Sequence, residues 1–209
     1  LKLFDLFLKR GGYFKKQNVH SISFTSDNKP VLKTDLDFYS FDKAVVACGA
    51  FSKRLTDQVD EKIPLDTERG YHVHFKGHDH LLSRPVIFLN RGFGITPMEQ
   101  GLRVVGTVEF GGLDNPKSEK RILNLVKSAK YLLPELTEHH DEWLGFRPTL
   151  PDFLPVIGPS KKYENLFYSF GHHHLGWTLG AISGKIIASM IMKENMNLDL
   201  SPYNSVRFS

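Results

Sequence analysis

Three histidines in a row, His172 to His174, stand between two glycines in GHHHLGWTLG (171–180). Imidazole ligates metals and titrates near neutrality, so the stretch admits a metal centre, a polar loop, or a loop shaped to touch a bound cofactor. For a metal, His172 and His174 would share one face of an extended backbone, a spacing at which a pair can hold zinc. No carboxylate or cysteine at matching spacing stands nearby, and His139, His140 and Asp141 are distant and read as surface residues. With a single cysteine, Cys48, an internal disulfide and a multi-cysteine zinc or iron–sulfur site are both excluded. The glycines point elsewhere. Gly171 and Gly176 bracket a strand-to-helix turn, where glycine lets backbone approach a planar ligand or take an unusual conformation. A helix opening near Trp177 would aim its unpaired N–H groups and positive dipole end at that ligand, favouring an anion or an electron-rich carbonyl. Thr178, in its first turn, is either a cap or a ligand contact.

Arg147, in GFRPTLPD, is the second candidate for anion binding. An aromatic precedes it and a proline fixes the backbone after it, which suits fork-like binding of a carboxylate; an internal ion pair, with Asp152 for instance, is the competing reading. Tyr71, in ERGYHVHF, offers a hydroxyl to the same anion or is a plain strand aromatic, and Arg69 carries the same ambiguity.

The elements that must position these groups are legible in outline. Leu3, Phe4, Phe7 and Leu8 recur at helical spacing before Gly11 and Gly12, giving an amphipathic helix that begins in its middle and suggests a fragment. Short strands follow, broken at SDNKP. Lys43 to Ala47 reads as a fully buried, parallel strand ending at Gly49 and handing over to a helical SKRL. RGYHVHF (69–75), RPVIFLNRGFGITP (84–97) and GLRVVGTVEFGG (101–112) are all strand-like, the last two joined by an MEQG hairpin turn. A helix spans about Lys117 to Leu133, with Ile122, Leu125, Val126 and Ala129 on one face and Pro134 after it. EWLGFRPTLPDFLPVIGPS reads as irregular, NLFYSFG as a strand, and Trp177 to Met192 as a final helix.

The chain of 209 residues is 41% hydrophobic, enough for one large domain or two small ones. Its 27 Lys and Arg against 23 Asp and Glu leave a scattered excess of +4, so nothing in the charge demands nucleic acid. The longest apolar runs, 44–51 and 186–192, fall far short of the roughly 20 residues of a membrane-spanning helix.

Five segments in order, VVACGAFS (45–52), PLDTERGYHV (64–73), GFRPTLPDFLPVIGPS (145–160), NLFYSFGHHHLGWTLG (165–180) and LSPYNSVRFS (200–209), resemble the C-terminal half of the FAD-dependent D-amino acid oxidase/dehydrogenase superfamily, most nearly the bacterial D-amino acid dehydrogenase small-subunit type. The resemblance implies a mixed α+β and α/β fold. A partial FAD-binding α/β domain (1–64), an antiparallel substrate-binding domain with flanking helices (65–150) and a return to the FAD-binding domain (151–209) would make it up. Ala47 and Gly49 would lie against the ADP half of FAD. His172, His174, Leu175, Gly176, Trp177 and Thr178 would line the isoalloxazine and ribityl chain, with the following helix stabilising charge at N1 and the C2 carbonyl. Arg147, with Tyr71 beside it, would hold the substrate α-carboxylate so that Cα–H faces flavin N5. Oxidation would give an imino acid that hydrolyses to a 2-oxo acid and ammonia, a step of amino acid catabolism, with oxygen or a quinone taking the electrons. No metal is implied. The location implied is the cytoplasm, at times the inner face of its membrane. Two departures stand out: no G-x-G-x-x-G follows a strand, and Gly94 in GFGITP replaces a tyrosine expected there. The first implies dependence on a missing N-terminal half or a partner subunit, or else a non-catalytic fragment.

Overall fold

The computed structural model describes residues 2–208; Leu1, and Ser209 at the end of the LSPYNSVRFS segment, lie outside the described residues. The elements run α1 (Lys2–Lys9), β1 (Val19–Phe24), β2 (Pro30–Thr34), β3 (Phe38–Ser40), β4 (Ala44–Val46), α2 (Lys53–Thr56), β5 (Asp66–Phe75), β6 (Val86–Phe88), β7 (Phe93–Met98), β8 (Gly101–Phe110), α3 (Glu119–Leu132), β9 (His140–Thr149), β10 (Val156–Pro159), β11 (Leu166–Phe170) and α4 (Gly176–Ile191). The expected mixture of antiparallel sheets, a parallel pair and flanking helices is what forms.

The largest sheet has strand order β6-β7-β8-β5-β9, antiparallel throughout. Side chains alternate across its central strand β5. Tyr71, Val73 and Phe75 turn to one face, where Val104, Leu102, Ile95 and the apolar stripe of α3 (Ile122, Leu125, Ala129) close a core around them. Glu68, Gly70, His72 and His74 turn to the other face, where Gly70 lines a cavity shared with Leu3 of α1 and the start of α4. One face of this sheet is therefore spent on stability and the other is open for function.

A second sheet, β10-β11-β4, combines an antiparallel pair with a parallel one, and α4 packs on β10 and β11 through Ile186 and Ile187. Its core also takes residues from β1 and from the α2 region (Ile22, Leu55, Val59, Ile63). Because β4 and β11 run parallel in register Val46↔Tyr168, Gly49 and Gly171 emerge at the same edge. The third sheet is the meander β1-β2-β3.

Three expectations require correction. The strand at 43–47 is shorter and is not fully buried: β4 is a sheet edge, and Val45 is 41% exposed. The run 84–97 is two strands, because residues 89–91 form a 3-10 turn and Gly92 takes φ +66. The stretch beginning at EWLG is not irregular; residues 140–149 form β9, the edge of the large sheet, where Pro148 lacks only a donor that an edge strand can do without. Leu125→Ala, at a site 2% exposed under β5, should lower unfolding stability by about 2–5 kcal/mol in urea titration.

Candidate active site

Gly70 of β5 and Gly145 of β9 are direct cross-strand partners on the open face. Together they leave a bare patch of backbone. Arg147 folds back so that its guanidinium occupies the space a Cβ on Gly70 would need, and the six-membered ring of Trp143 does the same over Gly145. A side chain at either position would have to displace these neighbours, and neither glycine takes a positive φ.

Opposite this patch comes the loop 171–175. Gly171 takes φ +82, and a Cβ there would meet Leu150. His173, at φ +53, donates its backbone N–H to the Pro148 carbonyl at 2.9 Å, tying the loop to the strand that carries Arg147. The three imidazoles then diverge. His172 Nε2 meets Ser183 Oγ of α4 at 2.9 Å, and burial holds its pKa below the usual imidazole value. His173 Nε2 meets the Glu68 carboxylate at 3.0 Å, while His173 Nδ1 meets Nδ1 of the exposed His174. Among the described residues no three His, Cys, Asp or Glu side chains gather as a metal-holding group.

Between patch and loop lies a cavity of about 770 Å³ whose lining includes Arg147, Trp143, His173, His174, Gly176 and Trp177. Among the described residues Arg147 is its one permanent charge, and Nη1 of its guanidinium is buried with no hydrogen-bond partner among them. The competing ion pair with Asp152 does not form: Asp152 binds Arg207, with Nε to Oδ2 at 2.6 Å. Glu68, the cross-strand partner of Arg147, is taken up by His173. A buried guanidinium nitrogen without an acceptor is a strong demand for an anion. The amino end of α4 opens on the same cavity through Gly176 and Trp177. Leu175 precedes the helix with no side-chain cap, and Thr178 is exposed without capping it, so the first-turn N–H groups are free for a ligand.

The remaining sequence candidates fall elsewhere. Tyr71 cannot share an anion with Arg147, because alternation along β5 sends its side chain to the α3 face. There its hydroxyl donates to Glu109 at 2.5 Å and accepts from the Ser118 backbone at 3.1 Å. Arg69 belongs to the same buried network, donating to the Pro116 carbonyl at 2.6 Å and pairing with Glu109. The Tyr71 hydrogen bond, with Arg69 and Arg121, holds the Glu109 carboxyl below its ordinary pKa. Ala47 and Gly49 sit at the end of β4, outside the cavity lining. His139 and His140 are not free surface groups either: His139, just before β9, meets Glu142 at 3.1 Å, and His140 opens β9 with its ring 5.9 Å from that of His74. Gly70, Trp143 and Gly145 went unread in the sequence. The signal was the period-two spacing of Trp143, Gly145 and Arg147, which puts all three on one strand face.

Two outcomes follow from this geometry. Tyr71→Phe should cost about 1–2 kcal/mol in stability and leave the binding of small carboxylates unchanged in a calorimetric titration. Burial, with His74 and Arg103 nearby, pushes the pKa of His72 down to about 4 from 6.5, so between those values the unfolded chain holds a proton that the native chain refuses. The corresponding stability is complete above pH 6.5 and is lost on acidification toward pH 4. His72→Gln should remove about 1 kcal/mol of that acid sensitivity, since the ring is only part-buried, as read from denaturation midpoints across the window.

Comparison with known proteins shows the family of the chain. Residues 1–190 match the family model described as FAD dependent oxidoreductase (DAO). A D-amino-acid oxidase of Bradyrhizobium diazoefficiens is 33% identical over 189 residues, covering 88% of this chain and 45% of the relative. A D-amino acid dehydrogenase of Granulibacter bethesdensis is 30% identical over 195 residues, covering 91% and 46%. The chain thus spans about half the length of the curated relatives it matches. Among solved structures, glycine oxidase from Geobacillus kaustophilus superposes with a TM-score of 0.81 at 26% identity, over 93% of this chain and 53% of that one. The chain belongs to the DAO family of FAD-dependent oxidoreductases.

Proposed function

We propose that the protein carrying this chain oxidises a D-amino acid, or a related small or secondary amino acid, to the imino acid, which water then converts to a 2-oxo acid and ammonia, or to the corresponding amine where the substrate nitrogen is substituted. The observation that carries this reading is the buried, unpartnered Nη1 of Arg147 in a cavity shared with the uncapped amino end of α4. The relatives named D-amino-acid oxidase and D-amino acid dehydrogenase support the substrate class.

In this reading Arg147 binds the α-carboxylate through paired N–H donors and thereby fixes the orientation of the substrate Cα. The loop residues His174, Leu175, Gly176, Trp177 and Thr178, with His172 held behind them against Ser183, lie along the flavin. The free N–H groups of α4 suit the electron-rich edge of its ring. FAD, when bound, supplies the acceptor for the hydride that leaves Cα. Ala47 and Gly49, at the strand end they share with Gly171, would lie toward the ADP portion. Residues 1–64 and 151–209 make up the flavin side and 65–150 the substrate side. The electrons pass on to oxygen or a quinone.

A second reading, in which this chain acts only with an FAD-binding segment or subunit, is favoured by α1. No residue of α1 is buried, and Leu3 and Phe7 are 83% and 48% exposed. Self-association or partner capture by α1, seen in analytical ultracentrifugation and lost in Phe7→Lys, would support it. Among the described residues no helix is long and apolar enough to cross a membrane.

The test is flavin absorbance and D-amino acid-dependent dye reduction by the flavin-loaded protein. Arg147→Ala should lower kcat/KM by about 2–4 kcal/mol, roughly 30- to 1000-fold. An unchanged kcat/KM would remove Arg147 from the role given to it.

A further inference from the structure

The carboxylate reading leaves open which side chain the substrate carries, and the other half of the glycine patch bears on that. Cβ positions of directly paired residues lie about 5 Å apart, so the indole over Gly145 and the guanidinium over Gly70 are neighbours. The indole is braced. His72, the cross-strand partner of Trp143, stacks against it with centroids 4.9 Å apart and planes 18° from parallel. The ring is nevertheless 54% exposed, and it faces the cavity that Arg147 lines. Among the described residues, apart from Arg147 and the imidazoles of His173 and His174, that lining is apolar, with Phe146, Pro148 and Trp177 beside Trp143 and no carboxylate. A second negative or positive group on a substrate would find no fixed counter-charge on the Trp143 side.

We infer that Trp143, braced by His72, is the specificity-determining residue of this cavity and selects amino acids with an aromatic side chain. This rests on Arg147 as the carboxylate anchor. An amino acid held there by its carboxylate would reach the exposed part of the indole that His72 leaves uncovered, where a flat ring gains offset stacking that an aliphatic or charged chain does not.

The test uses the chain itself and three carboxylates: acetate as the bare anchor, phenylacetate to add a ring, and succinate to add a second charge. Affinities are read by NMR titration, with the indole N–H signal of Trp143, assigned by its loss in Trp143→Leu, reporting on that ring. Phenylacetate should bind on the order of tenfold more tightly than acetate, and succinate no better than acetate. Trp143→Leu should bring phenylacetate to within about twofold of acetate, while Trp143→Phe keeps most of the preference, which also guards against misreading a folding defect. Arg147→Ala should abolish binding of all three. Arg147-dependent binding without a preference for phenylacetate, or a preference that survives Trp143→Leu, overturns the inference and leaves the carboxylate anchor standing. Binding that does not depend on Arg147 overturns the anchor and this inference with it.

Discussion

The pairing of Gly70 with Gly145 is the constraint on which the site depends. Two glycines facing each other across β5 and β9 weaken a sheet locally, since neither contributes a side chain to cross-strand packing. What they release is room at the backbone surface, and Arg147 and Trp143 fill it from the same strand. A methyl group at position 70 would meet the guanidinium, and one at 145 would meet the indole. The cation is thus held flat against the sheet, where its Nη1 loses water without gaining a protein partner. An unsatisfied buried donor is costly, and an ordered water or a ligand can complete it.

Keeping that cation unpaired requires the nearby carboxylates to be engaged elsewhere. Glu68, opposite Arg147, is held by His173; Asp152 is held by Arg207; Glu109 lies behind the sheet with Arg69 and Arg121. His173 has a double role, because its backbone N–H also ties the loop to Pro148. One residue in a left-handed conformation therefore fixes the distance between β9 and the amino end of α4, and so the width of the cavity.

The two faces of the large sheet divide the labour. Behind it, Phe75, Val104 and Leu125 pack a core that makes the strands rigid, with the Arg69–Tyr71–Glu109 network at its end. In front, His72, Trp143 and Arg147 present their functional surfaces with little packing above them. Rigidity on one side permits exposure on the other, since side chains on an open face hold their geometry only if the backbone beneath them does.

Much of this was legible in the sequence. The helix over 119–132 followed from apolar spacing, the hairpin at MEQG from its glycine, and the loop-to-helix role of GHHHLGWTLG from Gly171 and Gly176. Arg147 stood out as a candidate for anion binding because the residue type and the proline after it are local properties. Whether Arg147 was free or paired was not, since Asp152 is close in sequence while Arg207, which captures it, is distant. Tyr71 was misassigned for the same reason: its neighbours in sequence say nothing about which face of a sheet it takes until register and the bulge after Arg69 are set. Residue types and spacing determined the elements and the chemistry available. Only the tertiary structure decided which groups share a face and which are already satisfied, because both depend on contacts between segments far apart in the chain.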